Sequence, residues 1–430
     1  MKVLSGNDIE SGRDPVTGLT GLDAARVRLG DWLRQGEPIH ALLVGLKRFD
    51  AVNLAYGPSA GDAALAEVAG RLKHFAGDEL EGAWLAARGG GGQFLLFSVE
   101  PLSRERWQLI GAQLLDLLAR PITIGASTLR LSPRAGLLRA VAGEEPDSVF
   151  DRLGQALDNA MSHPGRRLIW ADGEATPAGR SAAQLEADLL RALDREEIEV
   201  VYQPQFSCAD DRLSGGEALA RWNHPRLGRI RAGGLFAIAE RADHVAQLSR
   251  HIQRLALEGA KAWPMDLRLS LNVTPSDLAS SNFANEFAAL AHDAGFPAWR
   301  LTLEVTEQVL LSDVAQAAQT LETLTRQGMR VALDDFGAGF CNFRYLKLLP
   351  LHYLKLDRSM IDGVAGDPRD LAVLRAIIAM AGALELKVIA EGVESEAQRA
   401  LVAVEGCATY QGFLRAHPLS AEQFGKLARG

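Results

Sequence analysis

Residues 301–336 read LTLEVTEQVLLSDVAQAAQTLETLTRQGMRVALDDF. Two short, β-rich apolar runs, Leu301–Val305 and Arg330–Phe336, flank a helical stretch, and acids stand near their C-terminal ends: Glu304 in the first, Asp334 and Asp335 in the second. Strand, helix and strand in that order describe one unit of a parallel sheet. The pattern continues both ways. Upstream lie Ile198–Gln205, Gly216–Trp222 and Leu267–Val273; downstream lie Tyr353–Asp357, Lys387–Gly392 and Cys407–Phe413. Eight such runs, separated mostly by helices, predict an α/β fold of the TIM-type (β/α) barrel class.

Polar residues interrupt these runs at or near the expected C-terminal end of every strand: Gln203, Glu217, Asn272, Glu304, Asp334 with Asp335, Lys355, Glu391 and Gln411. That rim is where barrels build their sites. A single acid there reads most simply as a paired structural residue, because a buried carboxylate costs several kcal/mol unless paired or metal-bound. Five acids facing one lysine are different, since they repel one another without cations. A donor set of carboxylates and one amide, with neither His nor Cys, suits Mg2+ or Mn2+. The adjacent acids Asp334 and Asp335 reach two metals if the backbone turns at the strand end, which Gly337 and Gly339 permit. Two such ions roughly 4 Å apart serve in-line displacement at phosphorus, so phosphodiester hydrolysis is the expected reaction. Lys355 is read either as a salt-bridge partner of the rim acids or as a group that orients the attacking water.

The rest of the chain bounds this reading. A length of 430 residues with 47% apolar residues predicts two domains. We place a first domain at 13–170, a polar, small-residue join at 171–183 and the barrel at 184–430. The net charge of −8 argues against a nucleic-acid partner. The opening stretch Met1–Pro15 is polar, without the apolar core of a signal peptide. The most apolar helical run, Leu371–Leu386, is shorter than the about 20 residues a bilayer needs. Cys208, Cys341 and Cys407 are scattered and odd in number, predicting neither disulfides nor a thiolate zinc site. A cytoplasmic protein is the expectation.

The second half resembles the EAL-domain cyclic di-GMP phosphodiesterases over about Gln184–Ser420. The blocks that carry the resemblance are Tyr202-Gln-Pro-Gln205, Glu217-Ala-Leu-Ala-Arg-Trp222, Leu271-Asn-Val-Thr-Pro275, Leu303-Glu-Val-Thr-Glu307, Asp334-Asp-Phe-Gly-Ala-Gly339, Leu354-Lys-Leu-Asp357, Ala390-Glu-Gly-Val-Glu394 and Gln411-Gly412. The resemblance implies that Glu217, Asn272, Glu304 and Asp334 hold one Mg2+ or Mn2+ and that Asp334 and Asp335 reach a second. It implies that Lys355 and Glu391 hold and activate water, that Gln411 helps position it, and that Glu307 supports the loop after Asp335. Gln203, Leu219 and Arg221 match substrate contacts, and a homodimer through this domain follows from the same likeness. Two stretches depart from the family pattern. Ala232 and Leu235 replace its usual Pro and Phe, and Phe340-Cys-Asn-Phe-Arg344 stands where small polar residues are common.

The front half resembles a GGDEF diguanylate cyclase domain that opens at Asp14-Pro-Val-Thr-Gly-Leu19. Gly90-Gly-Gly-Gln-Phe94 replaces the motif that names it, so Gly92 and Gln93 stand where two acids belong, and Gly45 replaces a metal-binding Asp. Loss of cyclase activity follows from the missing metal ligands. Glu81-Gly-Ala-Trp84 takes the place of the usual inhibitory site. Asn53 leaves a guanine contact for GTP, set against a purely structural or dimerising role. The Gly89–Gly92 run reads as a hairpin turn rather than a phosphate cradle.

Two other functions compete with hydrolysis of cyclic di-GMP to linear pGpG. One is a non-catalytic cyclic di-GMP receptor signalling to a regulatory protein partner, which normally loses metal ligands that this chain keeps. The other is a glycosidase using Glu304 and Glu391, which leaves Asn272, Asp334 and Asp335 unexplained.

Overall fold

The structure, a computed structural model, describes residues 12–124, 127–140, 143–163, 165–171, 182–306, 313–337 and 346–429. The expected join therefore falls mostly outside the described residues, as do Glu307 and the stretch 338–345. The chain forms two compact units, Met1–Ala187 with His224–Ile238, and Asp188–Asn223 with Ala239–Gly430. His224–Ile238, which the sequence pattern joins to the barrel, thus groups with the first unit.

The first unit holds strands β1 (Thr20–Gly21), β2 (His40–Leu46), β3 (Trp84–Gly90), β4 (Gln93–Ser98), β5 (Ile122–Ile124), β6 (Ser127–Leu129), β7 (Pro133–Arg139) and β8 (Leu168–Trp170). Six form one sheet in the order β1-β3-β4-β2-β7-β8, and β5 pairs with β6 in a small hairpin. The sheet is apolar on both faces. Leu42, Val44, Phe94 and Leu96 pack with Trp107, Ile110 and Leu114 on one side, while Ala41, Leu43, Leu95 and Phe97 pack with Leu29, Trp32 and Leu153 on the other. Burial on both faces is why His40–Leu46 reads as one continuous apolar run rather than an alternating one. The glycine run closes the β3–β4 hairpin with Gly90 (φ 92°) and Gly91 (φ 51°) left-handed, and Arg88 donates across it to the Gly91 and Gln93 carbonyls.

The second unit is a closed barrel of eight strands: β9 (Ile198–Ser207), β10 (Leu213–His224), β12 (Arg268–Asn272), β13 (Leu301–Thr306), β14 (Arg330–Phe336), β15 (Tyr353–Leu356), β16 (Lys387–Ala390) and β17 (Thr409–Gln411). The short strand β11 (Gly228–Arg231) follows β10 in the chain. From β10 through β17 neighbouring barrel strands are parallel, as expected. The first strand is not. β9 runs antiparallel to both β10 and β17, so its N-terminal half, not its C-terminal end, faces the rim where the other strands finish. The physical reason is the connection: only Cys208–Arg212 separates β9 from β10, and a parallel crossover needs a dozen residues or more.

Outward-facing Leu269, Leu271, Leu301, Leu303, Val305, Val331, Leu333, Leu354 and Leu356 form the core between strands and helices. Ala332, Tyr353 and Ile389 form a separate small cluster, on the strand face that also carries Asp334, Lys355 and Glu391. The lumen is thus plugged by apolar groups below and left to polar groups above.

One position tests packing in the first unit. A Cβ on Gly136 would lie 2.8 Å from the Leu153 carbonyl oxygen and 2.9 Å from the Leu157 nitrogen, both backbone atoms of helix Pro146–Ser162. Gly136→Ala should therefore cost about 1–3 kcal/mol of overpacking, read as a lower urea midpoint in equilibrium unfolding.

Candidate active site

Four strands deliver carboxylates to one point because inward positions recur every second residue. Glu217 stands on β10, Glu304 on β13, Asp334 on β14 and Glu391 directly after β16. Lys355, on β15 and 1% exposed, lies in their midst. Its Nζ is 2.7 Å from Glu304 Oε2, 2.8 Å from Glu391 Oε1, 2.9 Å from Asp334 Oδ1 and 3.3 Å from Glu217 Oε2. Both readings of Lys355 share this geometry: it is a buried salt-bridge partner and also stands at the centre of the acids.

Amides hold the acids in place. Gln411 Nε2 donates to Glu217 Oε2 (2.7 Å) and Glu391 Oε1 (2.9 Å), and Asn272 Nδ2 donates to Glu217 Oε1 (3.1 Å). Gln205 on β9, which was not singled out from the sequence, donates its own amide to Gln411 Oε1 at 3.0 Å and so fixes which way Gln411 points. Its signal was its parity with Gln203, one strand face apart by two residues. Gln203 Nε2 donates to the carbonyls of Ala416 (3.0 Å) and Gly412 (3.3 Å), which ties β9 to the loop after β17. Leu219 and Arg221 follow Glu217 on the same face of β10, opposite Val201 and Glu199 of β9. Arg221 is buried and donates to the Ala220 carbonyl.

The turn expected after Asp334 begins at Asp335 itself. Asp335 is left-handed (φ 56°), its N–H bonds Asp334 Oδ1 at 2.9 Å, and the β14–β15 register shifts between Leu333 and Phe336. Such a bulge re-aims successive side chains that would otherwise face opposite ways. As a result Glu217, Glu304 and Asp334 offer ligand atoms within 4.8 Å of one another, and Asp334, Asp335 and Glu391 do the same. The two groups share Asp334, as two neighbouring cation sites would require.

One ammonium faces four acids. Although burial opposes its charge, the four acids hold the Lys355 ammonium well above its usual proton affinity. Burial and the Glu217 charge push Glu304 well above the carboxylate range, and burial likewise raises Asp334 and Glu391. Glu217 goes the other way: against burial, Lys355, Gln411 and Asn272 hold it below its ordinary value. Glu304 Oε1 is buried with no hydrogen-bond partner among the described residues, which a carboxylate oxygen tolerates only if something cationic or a proton meets it. The donor set is all oxygen, so the residues fit a hard divalent cation.

The comparisons agree with this architecture. The EAL domain family matches residues 186–418, and the family described as diguanylate cyclase, GGDEF domain, matches 11–167. MucR of Pseudomonas aeruginosa, a bifunctional diguanylate cyclase/cyclic di-GMP phosphodiesterase, is 31% identical over 400 residues, covering 91% of this chain and 57% of that protein. NbdA of the same organism, a cyclic di-GMP phosphodiesterase, is 30% identical over 390 residues, covering 90% and 49%. A solved PaMucR phosphodiesterase in complex with c-di-GMP has a TM-score of 0.53 and 34% identity, covering 56% of this chain and 99% of that one. The chain spans about half to two thirds of the length of the curated relatives it matches.

The raised acids give a signed test. A carboxyl whose proton affinity is raised by folding adds stability below its unfolded pKa and loses it as pH rises through the folded value. In EDTA, Glu304→Gln should therefore stabilise the protein at pH 8, on the order of 1–3 kcal/mol, with the gain shrinking as pH falls toward 4.5. Urea unfolding at several pH values measures it, and added Mg2+ should stabilise the parent far more than the variant. With its barrel, rim acids and tandem front domain in place, the chain belongs to the EAL domain family and carries a GGDEF domain ahead of it.

Proposed function

We propose that this chain hydrolyses cyclic di-GMP to linear 5'-pGpG, with two Mg2+ or Mn2+ ions at the barrel rim. The observation that carries the reading is the buried, unpartnered Oε1 of Glu304 inside a cluster of acids that share one ammonium. Glu217, Asn272, Glu304 and Asp334 would hold one ion, and Asp334 with Asp335 the other. Bound there, such ions lower the proton affinity of water and offset charge on phosphate oxygens. Lys355, Glu391 and Gln411 stand together and would hold the attacking water; Glu391 in its ionised form could take the proton, and Lys355 could do so only as a neutral amine, once cations at the acids lowered its proton affinity. Glu307 lies outside the described residues, and its role as a support for the loop after Asp335 rests on the family likeness alone. Gln203, Leu219 and Arg221 would meet the substrate, Arg221 by pairing with a phosphate oxygen. The activities of MucR and NbdA support the substrate class.

The front domain we assign a regulatory or dimerising role without cyclase activity. Gly45, Gly92 and Gln93 offer no carboxylate where a nucleotide-bound metal would need one. A Cβ on Gly45 would stand 2.5 Å from Met161 Cε and 3.0 Å from Leu157 Cδ2, so side chains of the neighbouring helix crowd that position.

Two measurements test these assignments. Purified protein with cyclic di-GMP and Mg2+ or Mn2+ should release pGpG, with Glu217→Ala and Lys355→Ala at least about 100-fold slower; equal rates in all three discard the mechanism. The same protein incubated with GTP and Mg2+ should form no cyclic di-GMP by chromatography.

A further inference from the structure

The barrel lumen is charged at both ends. Counting inward-facing positions away from the acids, β12 runs Asn272, Ser270, Arg268; β14 runs Asp334, Ala332, Arg330; β15 runs Lys355, Tyr353; and from Glu391 β16 runs Ile389, Lys387. Below the apolar plug of Ala332, Tyr353 and Ile389, the N-terminal mouth therefore collects Arg268, Arg330 and Lys387, with His352 one residue before Tyr353. Four residues of strand separate Arg330 from Asp334, or ~13 Å.

These cations have only neutral partners. Arg268 donates to Thr302 Oγ1 (3.2 Å), to the Leu301 carbonyl (2.8 Å) and to the Trp299 carbonyl. Arg330 donates to the Tyr353 hydroxyl and lies 5.7 Å from the centre of that ring. His352 Nδ1 accepts from the Val331 N–H at 3.2 Å. Among the described residues no carboxylate pairs with Arg268, Arg330 or Lys387. Arg268 and Arg330 are half-buried and Lys387 is exposed. The groups also sense one another. Burial first, then the charges of Arg330 and Arg300, bring Arg268 down to about 10, and burial with Arg330 and Arg268 lowers His352. A concentration of unmatched guanidinium charge is unexpected in a chain whose net charge is −8. Clustered, partly desolvated cations repel one another, and an oxyanion relieves that repulsion with charge-assisted bonds.

We propose that the N-terminal mouth of the barrel is a second ligand site, which takes a small phosphate-bearing anion between Arg330 and Lys387 with Arg268 behind them. Arg330 supplies the planar fork for two phosphate oxygens and Lys387 a mobile point charge at the opening. The site stands at the face of the barrel opposite the acids, so it needs none of the residues assigned to hydrolysis.

The probe is pyrophosphate, titrated calorimetrically into the full chain in EDTA, where no cation can bridge phosphate to the rim acids. We expect saturable one-site binding that chloride at equal ionic strength does not reproduce. Affinity should fall at least tenfold in Arg330→Met and at least threefold in Lys387→Met, and stay unchanged in Glu217→Ala. Because Arg330→Met removes a donor from the Tyr353 hydroxyl and could disturb folding, Lys387→Glu at the exposed opening provides an independent arm, and it too should lose at least tenfold. Absence of saturable binding, or unchanged affinity in Lys387→Glu and Lys387→Met, overturns the proposal. Neither outcome bears on cyclic di-GMP turnover, which is read separately.

Discussion

Everything at the rim is arranged about the Lys355 ammonium. Four carboxylates, from three strands and the residue directly after a fourth, lie within 3.3 Å of it. One positive charge cannot match four ionised acids, so burial raises the proton affinity of Glu304, Asp334 and Glu391. Burial of this kind ordinarily destabilises a fold. It persists here because the barrel fixes each strand end independently, through outward-facing leucine and valine side chains that take no part in the site. Packing on the outside therefore supports electrostatic tension on the inside, and that tension is what a hard divalent cation would discharge.

The lumen repeats the theme with the opposite sign. Small and apolar residues, Ser270, Ala332, Tyr353 and Ile389, separate the acids above from the guanidinium groups below. The two layers are too far apart to pair directly, and each is held by uncharged neighbours: amides of Asn272 and Gln411 at the top, carbonyls and hydroxyls at the bottom. The barrel interior thus carries polar layers on either side of a small apolar one, Ala332, Tyr353 and Ile389.

Much of this was legible in the sequence. Strand positions followed from apolar runs, and the site followed from acids that interrupted those runs at one end, since a buried charge must have a reason. The direction of β9 was not read, although the brevity of Cys208–Arg212 carried the information: a link that short makes a hairpin. Gln203 accordingly sits within the strand, not at its rim end. Gln205 was overlooked because an amide buried against another amide leaves no charge signature. The left-handed turn at Asp335 was ascribed to the glycines beyond it, because a non-glycine residue in that region gives no hint in composition.

The placement of β9 also governs when the barrel can exist at all. β9 opens the second unit yet pairs with β17, about two hundred positions later, and Tyr202 exchanges backbone bonds with Leu419. A growing chain emerging from the ribosome can make the β9–β10 hairpin early, but it must keep the other edge of β9 open until the final strand arrives. Gln411, which clamps Glu217 and Glu391, travels on that same last strand. Assembly and competence are therefore completed by one event, so a partly synthesised barrel exposes a sticky edge and cannot yet organise its chemistry.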